Sequence, residues 1–535
     1  MLPPEERLVG AQLRRYIDDK LYWVLHAPRQ TGKTTFLQSW MREINAGSEA
    51  IASYVTVEAC QGVSEPEKSM RTICSAIQRH ARAVGVPAPE SIDTNPGSML
   101  STMLTNWSTL VAPKPLIVLF DEVDVLIDQT LISFLRQLRD GFASRGVGTF
   151  PVSVVLVGMR DLKDYITASK DGVPPNPGSP FNIKEDSGTL ANFQKDDIVR
   201  LFAQRTAENG QQITVEALDY VYEQSMGQPW IVNSLFKRAT MRILDRESTE
   251  TVTIDHLREA RKQMIEARET HLDALGERLR DQRIRRVIQT IITGETNLAM
   301  SRTSADVELA MDLGLVRWDT QTGFTISNPI YEEIMTRYLD APYHDNLPPP
   351  STWHWEKPDG TLDMDALLQA FQDFWQNNFE VWEQASDYPV TNAAIAADSI
   401  ISSRLRPEGS PAFPHLLLMA FLQRITNGSG RIEREYAAGR GRMDLAVEYR
   451  GAWNILEIKL LRQGKSFDTL MAEGIKQTVG YRDSFSGVSG RSALCSQDGT
   501  PVKCYLIIFD RRSDKPAWEE RIKWLQNGDV TVVGC

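Results

Sequence analysis

The chain has 535 residues, 42% of them hydrophobic and 24% charged, with a formal net charge of −11. That length points to three or four domains, and the acidic balance argues against a protein that coats nucleic acid non-specifically, though not against a local basic groove. No apolar run approaches the ~20 residues that span a bilayer. The first ten residues lack the basic and apolar regions of a secretion signal, and five scattered cysteines read as reduced thiols in a cytoplasm.

Residues 1–160 alternate short apolar strands (LYWVLHA, IASYVTVEA, PLIVLFDE, VSVVLVGM) with amphipathic helices. Such continuous apolar runs suit strands buried on both faces, as in a parallel sheet between helices, so the class is α/β. In TTFLQSWMREIN, Phe36, Leu37, Trp40, Met41 and Ile44 form one helical stripe, with Gly47 as a stop just beyond. After a Pro/Gly-rich loop from Gly172 to Pro180, residues 190–275 read as helical throughout. Residues 284–338 read helix, helix, hairpin, helix, with two alternating strands flanking Asp319 to Gly323 in the manner of a winged helix. Five prolines mark a boundary at 340–360; helices follow at 363–384 and 412–426, then strands from about 431.

The loop between Val24-Leu25-His26 and Phe36-Leu37 fits G-x-x-x-x-G-K-[ST], except that Ala27 stands at the first position. Its residues are Ala27, Pro28, Arg29, Gln30, Thr31, Gly32, Lys33, Thr34 and Thr35. Backbone N–H groups of such a loop cradle phosphate oxygens, and the helix N-terminus adds its dipole. Lys33 is expected to reach the β and γ phosphates of ATP, and the Thr34 hydroxyl to ligate Mg²⁺. Alanine allows fewer backbone conformations than glycine, but the close approach falls at Gly32. A second element supports the first: KPLIVLFDEVD is an apolar strand ending in Asp121-Glu122. Asp121 is placed to hold Mg²⁺ through water, and Glu122 to polarise the attacking water. No arginine finger can be picked out from Arg136, Arg139 and Arg145, which read as an exposed helix face.

RQTGKTT, FDEVD, VGMRDLKDY, SPFNIKED, GQPWIVNSLF and ETHLDALGERLRDQRIRRVI together resemble a group of bacterial AAA-like ATPases, nearly end to end. These are related to regulatory ATPases with a helical lid and a winged helix. The resemblance implies that Gly227-Gln228-Pro229-Trp230 lies in the lid near the nucleotide base, with Pro229 among the nucleotide contacts. It also implies a polar sensor after the fourth apolar strand. Arg160 is the nearest candidate, although Asn, Thr or Ser is usual there.

A second site emerges from GRIEREYAAGRGRMDLAVEYRGAWNILEIKLLRQGK. A hairpin centred on Gly451-Ala452 pairs residues whose numbers sum to 903, placing Asp444 opposite Lys459 and Ala446 opposite Glu457. Alternation then gathers Asp444, Glu457 and Lys459 on one face and Leu445, Val447, Leu456, Ile458 and Leu460 on the other. Two carboxylates beside an ammonium suit Mg²⁺ or Mn²⁺, which activates water and neutralises a phosphodiester, with Lys459 stabilising the developing charge. This resembles the D…E-x-K pattern of PD-(D/E)XK nucleases, and the family above ends in such a domain. Gln477 and Tyr481 resemble the Q-x-x-x-Y helix of that superfamily. One element departs from it. The helix before the first strand offers only His415 and Gln423 where a glutamate is frequent, leaving Glu435 on the strand as a substitute.

Arg431, Arg434, Arg440 and Arg442 precede Asp444, and Arg278, Arg280, Arg283, Arg285 and Arg286 open the winged-helix segment. Each cluster reads either as phosphate contacts for nucleic acid or as a solvated face. The domain expectation is an AAA-type core at 1–185, a lid at 186–275, a winged helix at 276–340, a Pro-rich linker and helix at 341–385, and a nuclease-like domain at 386–535. The functional expectation is an ATP-hydrolysing module controlling a metal-dependent nuclease on DNA, with RNA left open and defence against foreign DNA suggested by analogy. Catalytic residues are Glu122, Asp444, Glu457, Lys459 and Gln477. Metal ligands are Thr34, Asp121, Asp444 and Glu457. ATP, DNA and further copies of the chain through the ATPase are the expected partners, with no membrane. The alternative is an ATP-dependent signalling or DNA-binding switch whose nuclease-like fold does not cleave.

Overall fold

A computed structural model describes residues 4–9, 13–47, 49–89, 93–145, 150–159, 184–246, 248–267, 270–292, 304–320, 323–344, 355, 357–384, 413–426, 430–438, 441–449, 452–461, 464, 466–486, 502–510, 512 and 516–535. Two compact units divide the chain: Met1–Ile288 with Thr296–Glu333, and Gln289–Glu295 with Ile334–Cys535.

The first unit is built on a six-stranded sheet of β1 (Leu8–Val9), β2 (Tyr22–His26), β3 (Ile51–Thr56), β4 (Leu116–Asp121), β5 (Ser153–Gly158) and β6 (Lys184–Leu190). Its order is β1-β6-β2-β5-β4-β3, parallel throughout except for the β1 edge. The four expected strands are β2 to β5, and β4 and β5 are buried at every position, as continuous apolar runs require. Alternation feeds two cores. Ile117, Leu119, Val155 and Val157 pack with Trp23, Phe36 and Trp40 on the side of α1 (Leu13–Asp18) and α2 (Lys33–Ala46). Val118, Phe120, Val154 and Leu156 pack with Trp107 and Phe134 under α3 (Pro66–Ala83), α4 (Met99–Val111) and α5 (Asp128–Ser144). On α2 the forecast stripe holds: Phe36, Leu37, Trp40 and Met41 are buried and Ile44 is partly so.

Beyond β6 come four helices, Lys195–Asn209, Val215–Ser225, Pro229–Arg238 and Ile254–Glu266. Helices Thr270–Arg278, Gln282–Ile292 and Ala305–Asp312 follow, then a hairpin of β7 (Val316–Asp319) and β8 (Gly323–Ile326), then helix Pro329–His344. Sequence Thr320 to Thr322 therefore connects the two strands as expected, although only part of it lies within the described residues.

The second unit holds a mixed sheet, β13-β14-β12-β11-β10-β9, from β9 (Gly430–Ala438), β10 (Gly441–Tyr449), β11 (Ala452–Leu461), β12 (Lys503–Asp510), β13 (Lys523–Asn527) and β14 (Val530–Gly534). One correction concerns register. β10 and β11 pair Leu445 with Leu456 and Ala446 with Ile455, so partner numbers sum to 901 and not 903. The ladder closes at Tyr449 and Ala452, which puts the connection at residues 450–451, one position before the expected centre. A shift of two preserves the faces, because side chains alternate with period two.

Both faces of this sheet are covered. On one, Phe371 and Trp375 of helix Met364–Gln384 pack on Phe509, and Phe371 meets Phe421 of helix Phe413–Thr426. Polar bonds fix that helix further: Gln372 donates to the Gly534 carbonyl at 2.6 Å and accepts from Trp524 Nε1 at 2.8 Å, while the Tyr505 hydroxyl donates to Asp365 at 2.8 Å. The helix grouped with the linker in the sequence thus packs on the C-terminal sheet. On the other face, Ala446, Ile455, Leu506 and Val532 lie beneath helix Phe467–Ser486, through Leu470 and Ile475.

That helix gives a test with two signs. A Cβ at Gly474 would fall 2.5 Å from Leu506 Cδ1, whereas one at Gly480 meets nothing within 4 Å. Gly474→Ala is expected to destabilise the unit by about 1–3 kcal/mol through overpacking. Gly480→Ala should stabilise it by about 0.5–1 kcal/mol, since glycine in a helix interior costs entropy. Denaturant unfolding of the two variants checks both directions.

Candidate functional site: a phosphate loop, an acidic strand end and a buried acid–lysine pair

The loop after β2 is shaped by its backbone. Gln30 (φ 58°) and Gly32 (φ 94°) both occupy the left-handed region, and Gly32 is the residue from which α2 starts. Two such residues so close together turn N–H groups to one concave side, which is the geometry that accepts an anion at a helix N-terminus. Lys33 lies folded across the loop, donating to the Ala27 carbonyl at 2.7 Å and the Pro28 carbonyl at 2.9 Å. Burial pulls its pKa down, against the pull of Glu122, Asp124 and Asp121. The Thr31 hydroxyl donates to the Pro28 carbonyl at 2.9 Å, while Arg29, Gln30, Thr34 and Thr35 are exposed.

A residue outside the motif secures this loop. Arg7, buried just before β1, donates through Nη2 to the Thr31 carbonyl at 2.5 Å and through Nε to the Ala191 carbonyl at 2.9 Å. Its guanidinium sits 4.6 Å from the centre of the Phe193 ring. Nothing in local pattern marks this arginine, because its partners are backbone oxygens far away in sequence.

The acidic element meets the loop at the C-terminal edge of the sheet, where ligands of parallel α/β folds bind. The Thr34 hydroxyl donates to Asp121 Oδ2 at 2.7 Å, and the Tyr54 hydroxyl donates to the same oxygen at 3.0 Å. Asp121 Oδ1 accepts the Glu122 N–H at 3.0 Å. A hydroxyl and a carboxylate held together are a donor set suited to a hard cation such as Mg²⁺. Glu122 adopts φ 60°, a left-handed conformation that a non-glycine residue keeps only when its surroundings impose it, and one that clusters at functional sites. Burial first, and then Asp124 and Asp121, raise its pKa. Asp124 is raised too, mainly by burial, and stands close behind Gly158. Asp124 was not singled out from FDEVD, because its approach to Lys33 depends on the 3₁₀ turn after β4. Arg160 lies outside the described residues.

A cleft of ≈ 210 Å³ opens beside the loop, lined by Pro28, Arg29, Thr31, Gln228, Arg278 and Asn328 among others. Gly227 shapes the turn between helices Val215–Ser225 and Pro229–Arg238 that forms this wall. It has φ 73°, its carbonyl accepts the Phe193 N–H at 2.8 Å, and a Cβ would fall 1.9 Å from the Phe193 oxygen, so only glycine fits. Gln228 then caps helix Pro229–Arg238 and forms the cleft wall, while Pro229 is buried as the first residue of that helix. Trp230 lies 4.7 Å from the His271 ring, and His271 Nε2 is 2.6 Å from the Tyr331 hydroxyl. Of the basic cluster, Arg278 lines the cleft, Arg280 pairs with Glu277 at 2.9 Å and Arg283 pairs with Asp281 at 2.7 Å.

Comparison with known proteins agrees with this geometry. Residues 17–166 match the AAA domain. The first unit therefore carries an AAA-like P-loop ATPase module. Among solved structures, a Walker-type ATPase of Pyrococcus abyssi is 14% identical with a TM-score of 0.43, covering 60% of this chain and 93% of that one. Cdc6p from Pyrobaculum aerophilum is 13% identical with a TM-score of 0.34, covering 60% and 88%. The Thermotoga maritima RuvB Holliday junction branch migration motor is 11% identical with a TM-score of 0.34, covering 61% and 95%. These three likenesses are too loose to assign an activity. No curated protein matches the chain. No helix among the described residues is long and apolar enough to cross a membrane.

In the second unit, Lys459 donates to Glu457 Oε1 at 2.5 Å, and Glu457 is only 2% exposed. Continuing the observed register by one residue sets Asp444 opposite Glu457, with Lys459 two residues further along the same face. The side chains of Asp444 and of the arginines at 431, 434, 440 and 442 lie outside the described residues, as do those of His415, Gln423, Glu435 and Tyr481. Gln477 is described and is exposed, on the helix that covers this face. Among the described residues no three His, Cys, Asp or Glu side chains group as metal ligands.

The raised Glu122 and Asp124 carboxyls carry a stability consequence. An acid whose pKa is raised by folding binds its proton more tightly in the native state, so stability is greatest below its ordinary range and declines as pH climbs to the raised value. Glu122→Gln should therefore increase the melting temperature of the nucleotide-free protein at neutral pH and flatten the decline between acidic and neutral pH. Thermal unfolding across that interval tests it.

Proposed function

We propose that the chain is an ATP-hydrolysing AAA-type module controlling a metal-dependent nuclease that acts on DNA. The observation that carries the ATPase half is the Thr34–Asp121 bond, which locks the phosphate loop to the acidic strand end with Glu122 adjacent. On binding, the loop N–H groups receive the phosphate oxygens, and Lys33 exchanges the Ala27 and Pro28 carbonyls for β and γ phosphate oxygens. Thr34 and Asp121 would hold Mg²⁺, which neutralises phosphate charge. Glu122, once ionised, accepts the proton of the attacking water. Its raised pKa keeps the base in reserve at acidic pH.

The nuclease half rests on Glu457 and Lys459 sharing a face, with Asp444 at the neighbouring register position. Asp444 and Glu457 would hold Mg²⁺ or Mn²⁺, and Lys459, released from Glu457, would stabilise the charge developing on a phosphodiester. Gating by nucleotide fits such an activity, since an uncontrolled endonuclease endangers its own cell.

A second reading draws on the closeness of that pair and the exposure of Gln477. Here the ion pair is structural, and the unit holds DNA or a protein partner without cutting. The two readings part on one variant. Lys459→Ala is expected to abolish metal-dependent DNA cleavage by the full chain. If the wild type cuts neither DNA nor RNA under any nucleotide and metal condition, the second reading stands. For the ATPase, Lys33→Ala should eliminate ATP binding, whereas Glu122→Gln should keep binding and lower turnover by about 10²-fold or more, the span expected of a lost general base. Turnover in Lys33→Ala equal to wild type refutes the loop assignment.

A further inference from the structure

We propose that Gln228 and Asn328 hold the purine base of the nucleotide by donating hydrogen bonds to two of its ring nitrogens. The inference rests on the reading that the phosphate loop binds ATP.

Each carboxamide is fixed in orientation by the start of a helix. Gln228 Oε1 accepts the Ile231 N–H at 2.7 Å, and Asn328 Oδ1 accepts the Tyr331 N–H at 2.9 Å. Because an N–H donor must meet an oxygen, the other arm of each amide is necessarily its NH₂ group. Both side chains are deeply buried, Gln228 at 6% exposure and Asn328 at 2%. Neither Gln228 Nε2 nor Asn328 Nδ2 has a hydrogen-bond partner among the described residues. A buried polar group left in that condition forfeits its hydration with nothing in return. Two of them line one cleft, together with Pro28, Arg29 and Thr31 of the phosphate loop.

The chemistry of the cleft narrows the ligand. Two amide donors ask for acceptors that carry no hydrogen. The same cleft carries apolar surface from Met159, Leu275, Met311 and Leu315, which suits a flat aromatic ring, while Arg29 and Arg278 suit the phosphates that such a ring would bring with it. Adenine presents acceptors at N1, N3 and N7, on edges that face in different directions. Asn192, also on the cleft, already spends its amide on the Met226 carbonyl at 3.2 Å. The two donors come from separate elements, one from the turn before helix Pro229–Arg238 and one from the turn after β8. A base between them therefore ties both elements to the loop that holds its phosphates.

The test uses the full chain, titrated calorimetrically with ATP, with 1-deaza-, 3-deaza- and 7-deaza-ATP, and with inorganic tripolyphosphate. Gln228→Glu and Asn328→Asp keep the capping oxygen and replace the donor by an acceptor. Each variant should weaken ATP binding about 10-fold or more, equivalent to ~1.4 kcal/mol, while tripolyphosphate affinity changes by less than about 3-fold. Two of the three deaza analogues should bind wild type about 5- to 10-fold more weakly than ATP, a loss absent in the variant that lacks the matching donor. The proposal is overturned if all three analogues bind wild type as ATP does, a comparison that needs no variant to fold. It is overturned equally if both variants bind ATP normally, or lose ATP and tripolyphosphate in equal measure. Wild type that binds tripolyphosphate but discriminates no base refutes this inference alone. Failure to bind either ligand brings down the phosphate-loop reading and this inference with it.

Discussion

A single hydrogen bond organises the first unit: Thr34 and Asp121, 87 positions apart, meet at 2.7 Å. The sheet makes that meeting possible. β2 delivers the loop and β4 the acid, with β5 between them, so both ends emerge on one edge, and the flanking apolar cores fix the strands in place. Tyr54 from β3 completes the carboxylate's shell at 3.0 Å. The same burial that rigidifies this corner penalises its charges, pushing Lys33 down and Glu122 and Asp124 up.

The second unit obeys the same physics in another setting. Glu457 and Lys459 face a helix and not open water, so their pairing is made in a partly desolvated place, where a carboxylate without its lysine would be costly. Gly474 lets that helix approach Leu506 closely.

Where apolar runs are continuous, the sequence is easy to read, and β2 to β5 and the α2 stripe follow from it. β6 escaped because Lys184 to Leu190 is polar and glycine-bearing, and becomes a strand only through pairing with β2 and β1. The hairpin partners in the second unit slipped by two because turn position is a local backbone choice that hydrophobic alternation does not determine; the faces survived since alternation does determine those. Within the site, Lys33, Thr34, Asp121 and Glu122 were legible from their motif. Arg7, Tyr54 and Asp124 were not, because each acts through a partner that only the folded chain brings near.

Arg7 also redraws the edges of the nucleotide-binding part. The AAA match spans residues 17–166, yet β1 lies before it and β6 after it, and Arg7 joins the loop's Thr31 to Ala191 across that gap. An excised fragment trimmed to the matched span would forfeit two of six strands and the clasp on its own anion cradle. The complete sheet with its clasp is thus set by where the chain returns to clamp itself, and it begins ahead of the recognisable homology.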